Sequence, residues 1–179
     1  MKNIIIKYGI ISGLISAGLM LTTSLIAKVV GASLFYDYGM YIGYTSMLIA
    51  MAVIFLANRH YRDNLNHGSL TFVQGLMVGM GVTVISCIFY SLMWLVVYYN
   101  LMPNFMQDYV NYEIEKMTSA GASPENIAKM KSDMVVYQEI YSSPLKIFLI
   151  TLLEPLPVGL LLTFVFALVQ RKSHSLKEA

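Results

Sequence analysis

Charge is scarce in this chain, and cysteine almost absent. Only 12% of the 179 residues are Asp, Glu, Lys or Arg, about half the share usual in soluble domains and too little to clothe a soluble protein of this size. The lone cysteine, Cys87, excludes an intramolecular disulfide. It lies in an apolar run, where burial disfavours the reactive thiolate. No basic cluster offers a surface to nucleic acid. There is no phosphate-cradling glycine loop, no zinc-type histidine pair, and no Ser or Cys with a His partner at a motif spacing. His60 and His67 lie seven apart without a third ligand. These absences argue against an enzyme, and no cofactor or metal is expected.

What the chain has instead is hydrophobic residues, 57% of the total, gathered into four runs. A helix needs about 20 predominantly apolar residues to cross a bilayer's hydrocarbon core. Between Lys7 and Lys28 lie 20 uncharged residues, and between Asp37 and Arg59 another 21. A third uncharged run reaches from Gly68 to Gln107, and a fourth, Ile147 to Gln170, contains one charge, Glu154. The expected fold is all-α: one domain over residues 1–179, an integral membrane bundle with spans at about 8–28, 38–58, 71–100 and 147–170. The first run has a basic start and a small-residue Val30-Gly31-Ala32 end, as a signal peptide would. Its apolar core exceeds the usual 7–15 residues, so it is read as an uncleaved helix.

The positive-inside rule orients the bundle. With both termini cytoplasmic, Lys2, Lys7, Arg59, Arg62, Arg171, Lys172 and Lys177 lie inside. Near span ends the outside then holds only Lys28 and Lys146. Phe35, Tyr36, Tyr38, Tyr41, Trp94, Tyr98 and Tyr99 collect at the expected outer ends and read as an aromatic belt.

The segment from about 103 to 144 would lie outside. Phe105, Tyr109 and Tyr112 recur at helical spacing until Gly121. Ser123-Pro124-Glu125 then supplies a helix start: an N-cap hydroxyl, proline at the first position and an acid in the first turn. Ile127, Met130, Met134, Tyr137 and Tyr141 form an apolar stripe, and Ser143-Pro144 closes the helix. Met102 with Met106, and Met130 with Met134, are read as adaptable packing residues rather than copper ligands.

Glu154 is the foremost candidate for function. A carboxylate at bilayer depth costs on the order of 2.5–3.5 kcal/mol, so such groups usually face a bundle interior and mark a pathway or a pair. Its setting, Glu154-Pro155-Leu156-Pro157-Val158-Gly159, carries two prolines that preclude a straight helix. Glu154 caps a helix starting at Pro155, with Leu145–Leu153 as an entering or interfacial segment, or serves transport at a broken helix, and one residue can do both. Pro157 and Gly159 are candidates with it. On the opposite side Arg62 and Asp63 anchor a helix end or bind a phosphate or partner. Gly9 with Gly13, and Gly75 with Gly79, are four apart and allow close helix approach.

Taken together, Gly43-Tyr44, Met47, Ile54-Phe55, Tyr61-Arg62-Asp63, Gly68, Phe72, Gly79, Tyr90, Trp94, Phe105, Tyr109 and Glu154-x-x-Pro157-Val158-Gly159 resemble the bacterial membrane protein family catalogued as domain of unknown function 4199. The likeness covers nearly the whole chain, and Tyr-Arg-Asp and Glu-x-x-Pro-Val-Gly are its most specific parts. It implies a four-helix protein of the Gram-negative inner membrane with a periplasmic loop and no assigned activity. The expected role is a non-enzymatic accessory or structural envelope component. The alternative is a small oligomeric transporter or channel using Glu154. The bilayer is the expected partner, with a membrane protein or further copies of the chain as further ones.

Overall fold

The structure, a computed structural model, describes residues 1–172; Lys177 of the orientation argument lies outside the described residues. In chain order the elements are α1 (Lys2–Val30), α2 (Ala32–Met51), α3 (Val53–His60), a π-helical turn (Tyr61–Leu65), α4 (Phe72–Asn100), α5 (Phe105–Ser119), α6 (Pro124–Ile140), α7 (Pro144–Leu153) and α8 (Leu156–Gln170). Four helical stretches among the described residues are long and apolar enough to cross a bilayer: Lys2–Val30, Phe35–Leu65, Phe72–Asn100 and Pro144–Gln170. In hydrocarbon only internally bonded backbone survives, and these apolar runs are helical apart from short breaks at Ala52 and at Glu154-Pro155. The chain is therefore compatible with a multi-pass membrane protein.

Helix 4 is the hub, packing against α1, α3, α7 and α8. Helix 1 runs parallel to it. Ile5 meets Gly81, Gly9 meets Ile85 and Gly13 meets Phe89, each partner 76 positions further on. Helices 7 and 8 run antiparallel to it: Ile147 clusters with Trp94 and Val97, then Gly159 meets Thr83, Thr163 meets Gly79 and Ala167 meets Gly75. The expected glycine pairs thus serve contacts within the bundle. Polar links join the same seams. Ser12 Oγ donates to Ala50 O at 2.8 Å and contacts Ser86 Oγ at 3.0 Å, and the Thr83 and Thr163 hydroxyls are 3.2 Å apart.

The bundle has a terminal end, near Lys2 and Gln170, and a loop end, near Asn100 and Pro144. At the loop end α1 turns into α2 through Gly31, whose φ of +119° is open to glycine. Helix 6 starts as the sequence predicts: Ser123 Oγ accepts from Asn126 N at 3.3 Å, with Pro124 in the first turn. Of its expected stripe, Ile127, Met130 and Met134 are half-buried while Tyr137 is exposed. At the terminal end Thr71 and Gln74 form a reciprocal capping box for α4. An isolated bridge, Leu70 N to Lys172 O at 2.9 Å and Lys172 N to Leu70 O at 2.8 Å, fastens the chain after α8 to the loop before α4.

Two sequence expectations need correction. Glu154 does not cap the helix that follows it: Pro155 holds the N-cap position of α8, with no side-chain hydrogen bond onto that helix. Nor is the segment before it interfacial, because α7 continues the line of α8 along α4. The physical reason is that the two prolines interrupt the hydrogen-bond ladder without turning the chain away. Pro155 and Pro157 cannot donate to the carbonyls of Thr151 and Leu153. Thr151 O instead accepts from Glu154 N at 3.3 Å, and the ladder resumes with Gly159 N to Pro155 O at 3.0 Å.

Candidate functional site

Glu154 lies ten residues into the fourth span, about 15 Å from its loop end at ~1.5 Å per residue. That is about half the ~30 Å hydrocarbon core. Tyr90 lies ten residues from the end of α4, so the antiparallel register brings both residues to one depth. Together they line a cavity of about 360 Å³ in the loop-end half of the bundle. This is at the small end of the range for small-molecule sites.

Its walls follow from which helices touch. In this half α7 packs along α4 and has little contact with α2 among the described residues, which leaves space between α2 and α7. The α2 wall is made of small residues, Gly39, Gly43 and Ser46, and the α1 wall includes Ser16, Thr23 and Ser24. These hydroxyls are largely self-satisfied: Ser16 donates to Gly13 O at 2.9 Å, Thr23 to Leu19 O at 2.7 Å and Ser24 to Met20 O at 2.9 Å. Glu154 belongs to the exposed residues of the isolated bundle, and part of that exposure is to the cavity it lines.

Aromatic rings roof the cavity at the loop end. Phe105 is the hub, its ring centroid 5.1 Å from Trp94 and 6.1 Å from Tyr36. Tyr109 and Tyr141 stand 6.1 and 6.3 Å from the same ring. The geometries are mostly edge-to-face or tilted, the arrangement favoured by the ring quadrupole. Lys116 on α5 ties this roof to α2 through Asp37 at 2.6 Å, and its Nζ lies 5.6 Å from the Tyr112 ring centre. The expected aromatic belt is thus divided. Tyr38, Tyr41 and Tyr99 are exposed, as a belt requires, whereas Phe35, Tyr36 and Trp94 turn inward and line the cavity.

The terminal-end half is closely packed among the described residues. A methyl added at Gly9 would meet Ile85 at 2.7 Å, at Gly13 Phe89 at 2.6 Å, and at Gly79 Thr163 at 2.7 Å. Two polar side chains are buried there. Asn58 is wholly buried with neither amide atom hydrogen-bonded among the described residues. Gln170 Nε2 donates to Phe55 O at 3.1 Å, while its Oε1 has no partner among them.

The remaining sequence candidates separate by location. Gly159 is a packing residue against Thr83 and Met51, and Pro157 is exposed. Arg62 and Asp63 pair with each other at 2.7 Å in the π-helical turn, and Arg59 approaches Asp63 at 3.6 Å. They lie at the terminal end, remote from Glu154. Sequence reasoning did not assemble Tyr90, Trp94, Phe105, Tyr141 and the small residues of α2 around Glu154. The signal was present in the span register: counting equal depths along the third and fourth spans would have paired Tyr90 with Glu154.

Helical throughout its named elements among the described residues, with four helices apolar enough to span a bilayer, the chain is compatible with the multi-pass membrane protein class, without by itself naming an activity. The family is then given directly: residues 7–172 match the model described as protein of unknown function, DUF4199, and the chain belongs to that family. No curated protein and no solved structure matches it.

Proposed function

We propose that this protein is a non-enzymatic component of the bacterial inner membrane that works by holding a small molecule in the cavity above Glu154. The observation that carries this reading is the asymmetry of the bundle: one half is packed to methyl contact, while the other encloses a small-molecule-sized space with one carboxylate on its wall. The lysine and arginine bias near span ends supports cytoplasmic termini and a periplasmic roof. A membrane-protein partner would dock on that roof side, where α6 packs mainly against its two neighbours α5 and α7 among the described residues.

The test is purification from native membranes at native expression level, with mass spectrometry of both proteins and extracted small molecules. The expected result is a molecule retained at close to one per chain and lost in Gly43→Leu, a substitution that fills the cavity. Turnover of a substrate by the protein alone would overturn the non-enzymatic reading. A second reading, a small carrier, is favoured by the break at Glu154-Pro155, which interrupts the hydrogen-bond ladder between α7 and α8. Flux in reconstituted vesicles that disappears in Glu154→Gln, with folding intact, would put it first.

A further inference from the structure

Resting on that binding reading, we propose that the cavity takes a membrane-borne organic cation: an amphiphile with an ammonium head and an apolar body, and without a phosphate inside the site. Charge selects the sign. Among the lining residues Glu154 alone is charged, and no Lys, Arg or His joins it. A phosphate or carboxylate head would meet a like charge with no cation to answer it. An ammonium would meet a carboxylate and the rings of Tyr90, Trp94 and Phe105, groups that attract cations through charge and, at a ring face, through the ring quadrupole. The low dielectric at this depth strengthens both attractions relative to water.

Shape selects the body and the route. Helices 2 and 7 make little contact with each other among the described residues, so the entry route is lateral, between these two helices, where the α2 lining includes apolar Met40 and Ile42. The roof above carries the Phe105 ring cluster and is clasped by Asp37 and Lys116. A chain-bearing molecule can therefore enter from the bilayer with its head advancing to Glu154 while its tail stays in the gap.

The chain has a built-in reporter, because Trp94 is its only tryptophan and lines the cavity. The experiment titrates the full-length protein in nanodiscs with dodecyltrimethylammonium, dodecanol and dodecyl sulfate, reading Trp94 emission. The expected result is a saturable change with the ammonium alone. Its affinity should fall at least tenfold in Glu154→Gln and vanish in Gly43→Leu, both variants retaining the wild-type elution volume and helicity. Tetramethylammonium, which lacks the chain, should compete at least tenfold less well; equal competition would overturn the membrane-borne route. Saturable binding of dodecanol as tight as the ammonium, unmoved by Glu154→Gln, would overturn the cation proposal while leaving the cavity a binding site. No saturable response to any of the three would overturn the binding reading itself.

Discussion

Glycine does opposite work in the two halves of this bundle. At the terminal end and across the middle, Gly9, Gly13, Gly79, Gly81 and Gly159 each hold a neighbouring side chain where a Cβ would be. On α2 toward the loop end, an added Cβ at Gly43 would meet nothing within 4 Å, and at Gly39 only its own helix neighbour Phe35 at 3.9 Å. Small residues bring backbones together in one half and leave room in the other. The teaching is that a glycine pattern in a membrane helix marks close approach only when the facing helix supplies something to fill it.

The comparison is broken most forcefully by exchanging its terms. Gly159→Leu forces a side chain onto Thr83 and Met51 and is expected to destabilise by about 3 kcal/mol or more, the upper range for overpacking. Gly43→Leu, entering open space, is expected to change stability by less than about 0.5 kcal/mol. Reversible unfolding of both variants in mixed micelles checks the pair. Equal losses would mean that the loop-end half is as tightly packed as the other.

The roof is the next target. Phe105 is half-buried and touches Trp94, Tyr36, Tyr109 and Tyr141. Phe105→Ala is expected to cost about 2 kcal/mol, below the 3–5 of a fully buried Phe. The loss should be local: faster tryptic cleavage after Lys116, with the four long helices still protected from hydrogen exchange. Loss of protection throughout the bundle would show that the roof and the helices form one cooperative unit.

Glu154 itself should weaken the fold it decorates. A carboxylate at this depth carries an insertion cost of about 2.5–3.5 kcal/mol, reduced here because the side chain borders an open gap. Glu154→Gln is expected to gain about 1 kcal/mol in the same unfolding assay while ligand affinity falls. A loss of stability instead would make Glu154 a structural partner of Tyr90 rather than a ligand group.

How much of this was legible beforehand depends on whether a feature is local. The four spans, the Ser123-Pro124 helix start and the Gly121 interruption were readable because apolar length, caps and turns are written in neighbouring residues. Glu154 was conspicuous for the same reason, as the one charge in an apolar run. Its surroundings were not legible. Tyr90 and Trp94 come from one helix, Gly43 from another and Phe105 from a third, and only the pairing of helices brings them together. Phe35, Tyr36 and Trp94 have the composition of a belt, and composition alone does not say which face of a helix they occupy. The cap assigned to Glu154 failed because proline position 155, one residue later, took the N-cap role itself.

A small net effect is expected at Asn58, and it tests whether the packed half is as uniformly apolar as its glycine contacts suggest. An amide wholly buried and without a hydrogen-bond partner among the described residues already bears a desolvation cost of about 1–3 kcal/mol. Asn58→Ala removes that cost and also the packing of three heavy atoms near Gly75, whose added Cβ would lie 3.6 Å from Asn58 Nδ2. The two changes oppose one another, so the net is expected within about 1 kcal/mol of zero. Gln170→Ala provides the reference, since it breaks a defined bond to Phe55 O and should cost about 1 kcal/mol. A double-mutant cycle between the two reads their coupling, expected below about 0.5 kcal/mol for groups with no bond between them. A coupling above about 1 kcal/mol would show that Asn58 and Gln170 act as one polar unit. The terminal-end half would then contain a hydrogen-bonded interior of its own, and the contrast with the cavity half would be one of filling rather than of polarity.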